Sequence, residues 1–368
     1  MRSWLLLFPA SAVLAAAPVS AGNIWVSLHD GKRDLVTELG PQGPRTALAQ
    51  PTVLAFGESP TRIAVVAYDV AAARNQLHLL DKQTRALVAT WALPTTPVSL
   101  LSGAAPDIVL LDECAYVLLH ATILSTASSP VRNQLGGMFN VIKVALRTGE
   151  ISVLPLSNDF FNPRLRNYEG VPVVTDWAGY AVWRLAADGA KMVRVIGKEQ
   201  LSDILPAERT DPASRALPYN ARPDYVAVPG AGVFRVSRFG LLHRITGPDL
   251  APLPAPHVAM AIGPAQHVEA LLAASTQTGP AIAVVRRVQD RRMLTFIDAT
   301  SLAIAWEREL PTGTSPWSMV EAGEDAVMYI DTDRGALMQS SRDGTVVLRK
   351  LPASQHYSSA HILSAGGT

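Results

Sequence analysis

The chain has one cysteine, Cys114, among 368 residues, and almost no net charge, with 32 Lys and Arg against 31 Asp and Glu. A lone thiol forms no internal disulfide, so stability must come from a hydrophobic core, which an apolar share of 48% can supply. Asp112 and Glu113 beside Cys114 deny it the electropositive setting of a reactive thiolate, and it reads as a buried free thiol in a strand. Without a basic footprint the chain is no partner for nucleic acid. Also absent are a Gly-x-Ser-x-Gly elbow, a His-Glu-x-x-His pair, a Cys-x-x-Cys pair and a phosphate loop. In "PGAGVFR", Arg235 stands where a dinucleotide fingerprint wants its third glycine, so Gly230 and Gly232 read as a hairpin turn. The eight histidines are scattered and never paired at ligand spacing. No catalytic motif stands out, and neither a cofactor nor a metal is expected.

The one marked apolar run lies at the start, in "MRSWLLLFPASAVLAAAPVSAGN". It is shorter than the roughly 18 residues of a spanning helix, contains Pro9, and ends in Val19-Ser20-Ala21, the small-residue pattern that a signal peptidase reads. Residues 1–21 are therefore expected to be a secretory signal, and 22–368 a single domain that is periplasmic or secreted, with no membrane segment after cleavage. Removal takes away Arg2 and no acid, leaving 31 basic and 31 acidic residues.

What the sequence does have is a recurring unit. In "LLDKQTRALVATWALP" and "FIDATSLAIAWERELP" an apolar pair precedes an Asp, a polar turn and an apolar run follow, and Leu-Pro closes the unit, from Asp81 to Pro94 and from Asp298 to Pro311. Similar closes fall at Pro155 and Pro352, with weaker ones at Gly40, Gly197 and Gly247. Asp-Gly, Thr-Gly and Asp-x-x-Ser/Thr turns between β-rich runs signal hairpins. The seven marks are 41 to 64 residues apart, as in a β-propeller, where each blade is a four-stranded sheet that buries its faces only against its neighbours. The short remainder at the two ends makes one divided blade, with "IWVSLHD" and "RDLVTEL" outside and "HILSA" inside. The fold expected is all-β, a seven-bladed β-propeller closed by strands from both termini. Only Lys198–Glu208 reads as helical, and Pro206 ends it early. Asp69, Asp81, Asp298 and Asp331 at strand ends read as turn-capping residues.

The stretch "FIDATSLAIAWERELPTGTSPWSM" resembles the repeat unit of YVTN-type propellers, with Ile-Asp, a Thr/Ser turn, a Pro close and Ser-Pro-Trp leading into the next inner strand. "MYIDTDRG" and the Asp81 unit are weaker copies. Related propellers include lactonase-like proteins and the heavy subunits of amine dehydrogenases. The resemblance implies the fold and transfers no catalytic residue. It leaves two alternatives beside a binding module: a lactonase-like or lyase-like enzyme working at the channel mouth, or a dehydrogenase heavy subunit.

Function is sought in the insertions, because loops on rigid scaffolds carry it more often than strands do. Residues 157–170 and 198–224 read as connections between blades, and 124–137 and 275–280 as turns between second and third strands, which puts all four on one face. They hold Arg164, Arg166, Tyr168, Arg209, Arg215, Tyr219 and Arg222. Guanidinium groups interleaved with aromatics suit a carboxylate or phosphate, since Arg binds oxyanions bidentately and stacks on rings. The expected partner is thus a small anionic ligand or a partner protein. If the N-terminal reading is right, sequencing of the secreted form will begin at or within a few residues of Gly22; a membrane-tethered product that keeps Met1 would contradict it.

Overall fold

The computed structural model describes residues 23–94, 107–120, 139–156, 163–176, 182–197, 225–236, 241–253, 259–263, 268–352 and 356–364. These form 28 strands in seven four-stranded antiparallel sheets and no helix. In chain order the first sheet begins with β1 (Ile24–His29), β2 (Asp34–Gly40) and β3 (Gly43–Gln50). Blade 2 is β4 (Val53–Glu58), β5 (Arg62–Asp69), β6 (Arg74–Asp81) and β7 (Leu87–Ala92), and blade 3 is β8 (Ile108–Leu110), β9 (Cys114–His120), β10 (Phe139–Ala145) and β11 (Ile151–Pro155). Blade 4 is β12 (Pro163–Tyr168), β13 (Val171–Asp176), β14 (Val182–Leu185) and β15 (Met192–Ile196), and blade 5 is β16 (Tyr225–Val228), β17 (Gly232–Val236), β18 (Leu241–Arg244) and β19 (Ala259–Ala261). Blade 6 is β20 (Val268–Thr276), β21 (Gly279–Val288), β22 (Arg291–Asp298) and β23 (Ile304–Leu310), and blade 7 is β24 (Thr314–Glu321), β25 (Ala326–Asp331), β26 (Ala336–Ser341) and β27 (Thr345–Lys350).

The last strand, β28 (His356–Ser364), returns to blade 1 and pairs antiparallel with β1, giving the order β28-β1-β2-β3. The ring is therefore closed by both termini, one strand from the C-terminal end on the inside and three from the N-terminal end outside it. The chain is a seven-bladed β-propeller.

Seven hydrophobic clusters fill the seven spaces between blades. Val26, Leu28 and Ile362 of blade 1 pack on Met328, Ile330 and Leu337 of blade 7. On the other side Trp25, Val36 and Leu363 pack on Ile63, Val65 and Leu80 of blade 2. Because successive side chains point to opposite faces and both faces are covered, "RIAVVAYD" is apolar without alternation: Ile63 and Val65 serve one interface, Ala64 and Val66 the next. Near the axis the crowding is close enough to require glycine. A Cβ on Gly57 of β4 would lie 2.6 Å from the carbonyl oxygen of Ile108 in β8.

The recurring Asp unit is the turn from third to outer strand. Asp81 Oδ1 accepts from the Thr84 backbone N–H at 2.7 Å and from its hydroxyl at 2.8 Å; Asp298 Oδ1 does the same with Ser301, at 2.7 and 2.8 Å. The residue four places after each Asp takes a left-handed conformation, Arg85 at φ 63° and Leu302 at φ 57°. These hydrogen bonds favour the ionised carboxylate and hold both Asp81 and Asp298 below the usual carboxylate range. Asp69 and Asp331 cap turns too, accepting from the N–H of Ala72 and Arg334 at 3.0 Å each.

Several expectations need correction. Gly40 ends β2 and Gly247 follows β18, so these two marks close third strands, and the outer strands β3 and β19 lie beyond them. The turn within 275–280 joins β20 to β21, a first to a second strand, and so opens on the opposite face from the blade-to-blade connections. Residues 163–168 are the inner strand β12 and only 157–162 precede it as connection. Cys114 is half-buried. The segments 1–21, 124–137 and 198–224, with the predicted helix, lie outside the described residues.

Closure through β28 makes a direct prediction. Ile362→Ala removes a buried side chain from the seam and is expected to destabilise by about 2–5 kcal/mol, while Val347→Ala on the exposed face of β27 stays within about 0.5 kcal/mol. Thermal and urea unfolding of both variants tests it; equal effects would place β28 outside the closed ring.

Candidate functional site

Strand polarity sorts the loops onto two faces. The blade-to-blade connections and the second-to-third turns open on one, here the upper face; the first-to-second and third-to-outer turns open on the lower face. The long connections 93–107, 121–138 and 197–224 all belong to the upper face. The two blade-to-blade connections among them, 93–107 and 197–224, lead into the inner strands β8 and β16.

At that mouth the structure builds one polar cluster across the boundary of blades 3 and 4. Asp107, just before β8, extends the ladder through its carbonyl, which accepts from Leu118 N–H at 2.9 Å. Its side chain crosses to β12. Asp107 Oδ2 accepts from Arg164 Nε at 2.9 Å and from Leu165 N–H at 2.9 Å, and lies 3.0 Å from Arg166 Nη1. Arg166 Nη1 also donates to the carbonyl of Leu165 at 3.0 Å. Strand alternation explains the arrangement: Pro163 and Leu165 turn into the core, and Arg164 and Arg166 stand on the half-exposed side. Two guanidinium groups share one largely buried carboxylate, so these three side chains carry a formal charge of +1. Fixed fork donors of this kind suit a planar oxyanion.

The lower mouth has the opposite sign. Its first-to-second turns carry Glu58, Asp112, Glu113, Glu169, Glu321, Glu324 and Asp325, with Arg62 the one basic residue at these turns among the described residues. Some of these carboxylates tie elements together. Glu169 accepts from Gly230 N–H at 2.7 Å, Asp325 from Trp306 Nε1 at 2.9 Å, and Glu58 pairs with Lys82 at 2.6 Å. Acidic residues outnumber basic ones at these inner lower turns, which disfavours an anion approaching the channel from below.

Of the residues singled out by sequence, Arg164 and Arg166 are brought together. Tyr168 is not part of their site. It lies at the lower end of β12, is 3% exposed, and its hydroxyl donates to the carbonyl of Pro248 at 2.6 Å, tying blade 4 to blade 5. Burial pushes its phenol above the ordinary value. It is a packing residue, because β12 is a strand whose every second or third side chain is needed for the interface. Arg209, Arg215, Tyr219 and Arg222 lie outside the described residues. Asp107 went unrecognised in the sequence, since its 57-residue separation from Arg164 gives no local signal.

Other polar groups are structural. His78 Nδ1 lies 3.0 Å from Thr90 Oγ1, and burial lowers its pKa. His29 Nδ1 lies 2.9 Å from Asp34. Burial, with Cys114 next along the strand face, pushes Tyr116 up to about 12. Among the described residues no three of His, Cys, Asp and Glu cluster as a metal site.

The fold defines the class: a seven-bladed β-propeller. No family model and no curated protein matches the chain. Among solved structures it is similar to the periplasmic gluconolactonase of Pseudomonas aeruginosa, at 12% identity and TM-score 0.54, covering 94% of this chain and 99% of that one. A functionally unknown protein of Desulfotomaculum acetoxidans gives 11% and 0.54, over 92% and 98%. TolB from Acinetobacter baumannii gives 14% and 0.46, over 93% of this chain and 66% of TolB. At such identities the likeness shows the fold alone.

Removing the bridging carboxylate tests the cluster. Asp107→Ala leaves Leu165 N–H without its acceptor and removes one partner from each of two guanidinium groups, and is expected to cost about 1–3 kcal/mol in urea unfolding. A variant as stable as the parent would show that the bridge between blades 3 and 4 contributes nothing.

Proposed function

We propose that the chain is an exported propeller binding module that engages an anionic group, free or displayed on a partner protein, at its upper face. The observation that carries this reading is the pair Arg164 and Arg166, held by Asp107 at the channel mouth on the face that bears the long connections. Arg209, Arg215 and Arg222, with Tyr219, sit in the longest of those connections, between β15 and β16, and would supply further guanidinium groups. Charge-assisted hydrogen bonds from such groups are worth roughly 1.5–3 kcal/mol each, so two or three suffice for specific anion binding. The acidic lower mouth supports the assignment to the upper one. Export is supported by the N-terminal segment and by the periplasmic address of the similar gluconolactonase.

A thermal-shift series with phosphate, citrate and gluconate tests the reading, run on the protein, on Arg164→Ala/Arg166→Ala, and on a variant with residues 199–223 replaced by a tight turn. The account predicts stabilisation of the parent by at least one anion and a loss of at least tenfold in affinity in either variant, with folding kept in the shortened chain. Unchanged affinity in both variants would refute it. Turnover of gluconolactone by the parent would instead favour the enzyme alternative.

A further inference from the structure

In a propeller each blade ends in an outer strand whose far side offers backbone N–H and C=O groups to solvent, and such edges need protection from pairing with other chains. Six of the seven outer strands here carry a protective feature. Arg45 lies in β3, Pro155 ends β11, Arg194 is central in β15, Arg308 in β23, Arg349 in β27, and β19 has only three residues. The seventh, β7, reads "LVATWA". It has no charge, no proline and six residues of mostly good strand formers.

Its exposure and hydrogen-bond phase make the edge usable. Leu87 and Val88 are 48% and 52% exposed, among the most exposed large apolar residues described. Leu93 N–H donates to the Asn75 carbonyl at 2.9 Å, and the pairs Leu77 with Trp91 and Leu79 with Ala89 share that phase. Thr90 and Ala92, between them, therefore direct their backbone groups away from β6. No described strand pairs with that side.

We infer that the outer edge of β7 pairs antiparallel with β7 of a second copy of this chain. An identical strand fits because a two-fold axis at Thr90 sets Val88 of one copy against Ala92 of the other, with no charge opposed to a like charge. Self-pairing of β15 about its centre would set Arg194 against Arg194. With 32 basic and 31 acidic residues the copies also lack long-range repulsion. Two six-residue strands bury less than the roughly 1,200 Å² of a stable interface, so the dimer is weak and reversible.

Sedimentation velocity over a wide concentration series tests this on the parent, on Val88→Lys and on Ala92→Pro. Proline at 92 removes only an outward N–H and leaves the ladder to β6 intact, so this variant keeps the fold should Val88→Lys disturb it. The expected result is a concentration-dependent monomer–dimer equilibrium in the parent, weakened at least tenfold in each variant while thermal unfolding stays near the parent's. A parent that remains monomeric throughout, or folded variants that dimerise as well as the parent, would overturn the inference.

Discussion

Everything in this molecule depends on one constraint: each blade is apolar on both faces and can bury them only against two neighbours. A sheet such as β4–β7, with Ile63 and Val65 on one side and Ala64 and Val66 on the other, has no stable existence alone. Seven blades satisfy the requirement only if the first meets the last. The strand β28 completes that contact, setting Ile362 against the blade 7 interface and Leu363 against that of blade 2. The seam is thus the most non-local pairing in the chain, joining residues near 25 to residues near 362.

The same constraint places the polar chemistry. Interiors between blades admit few polar groups, so charges collect at the rims, where they stitch one blade to the next. Asp34 accepts from Val53 N–H at 2.7 Å, Arg286 donates to the Ile262 carbonyl at 2.9 Å, and Arg292 donates to the carbonyls of Thr312 and Thr314 at 2.6 and 2.9 Å. Asp107 with Arg164 and Arg166 belongs to this set and differs in position and balance. It stands where two inner strands begin, and among the described residues its bases outnumber its acid. Under the proposed function a stitch of that composition would serve as an oxyanion site, because the carboxylate fixes the guanidinium planes before a ligand arrives.

How much of this was legible follows from how local each signal is. The turns at Asp81 and Asp298 were readable because Asp, Thr or Ser and a left-handed residue lie within four positions of one another. Closure was readable from the short remainders at the two ends. The outer strands β3 and β19 were not, since "GPRTALAQ" has little apolar alternation and β19 spans three residues. Taking Gly247 as a blade end then shifted the count by one strand, which is why the turn at 277–278 was put on the wrong face. In the candidate site, Arg164 and Arg166 are readable as arginines of an insertion, but the Arg-Leu-Arg alternation that places them on an inner strand is too short a signal by itself. Asp107 was beyond reach of sequence, because only the adjacency of blades 3 and 4 brings it to them.

Hydrogen–deuterium exchange with and without saturating citrate tests the central claim most directly, since it locates binding on the ring. The account predicts slower exchange at Asp107–Leu110, at the start of β12 and within 198–224, with no change at the acidic turns Glu58–Arg62 and Ala322–Asp325. Protection confined to those lower turns, or citrate binding that leaves Arg164 and its neighbours unaffected, would contradict it.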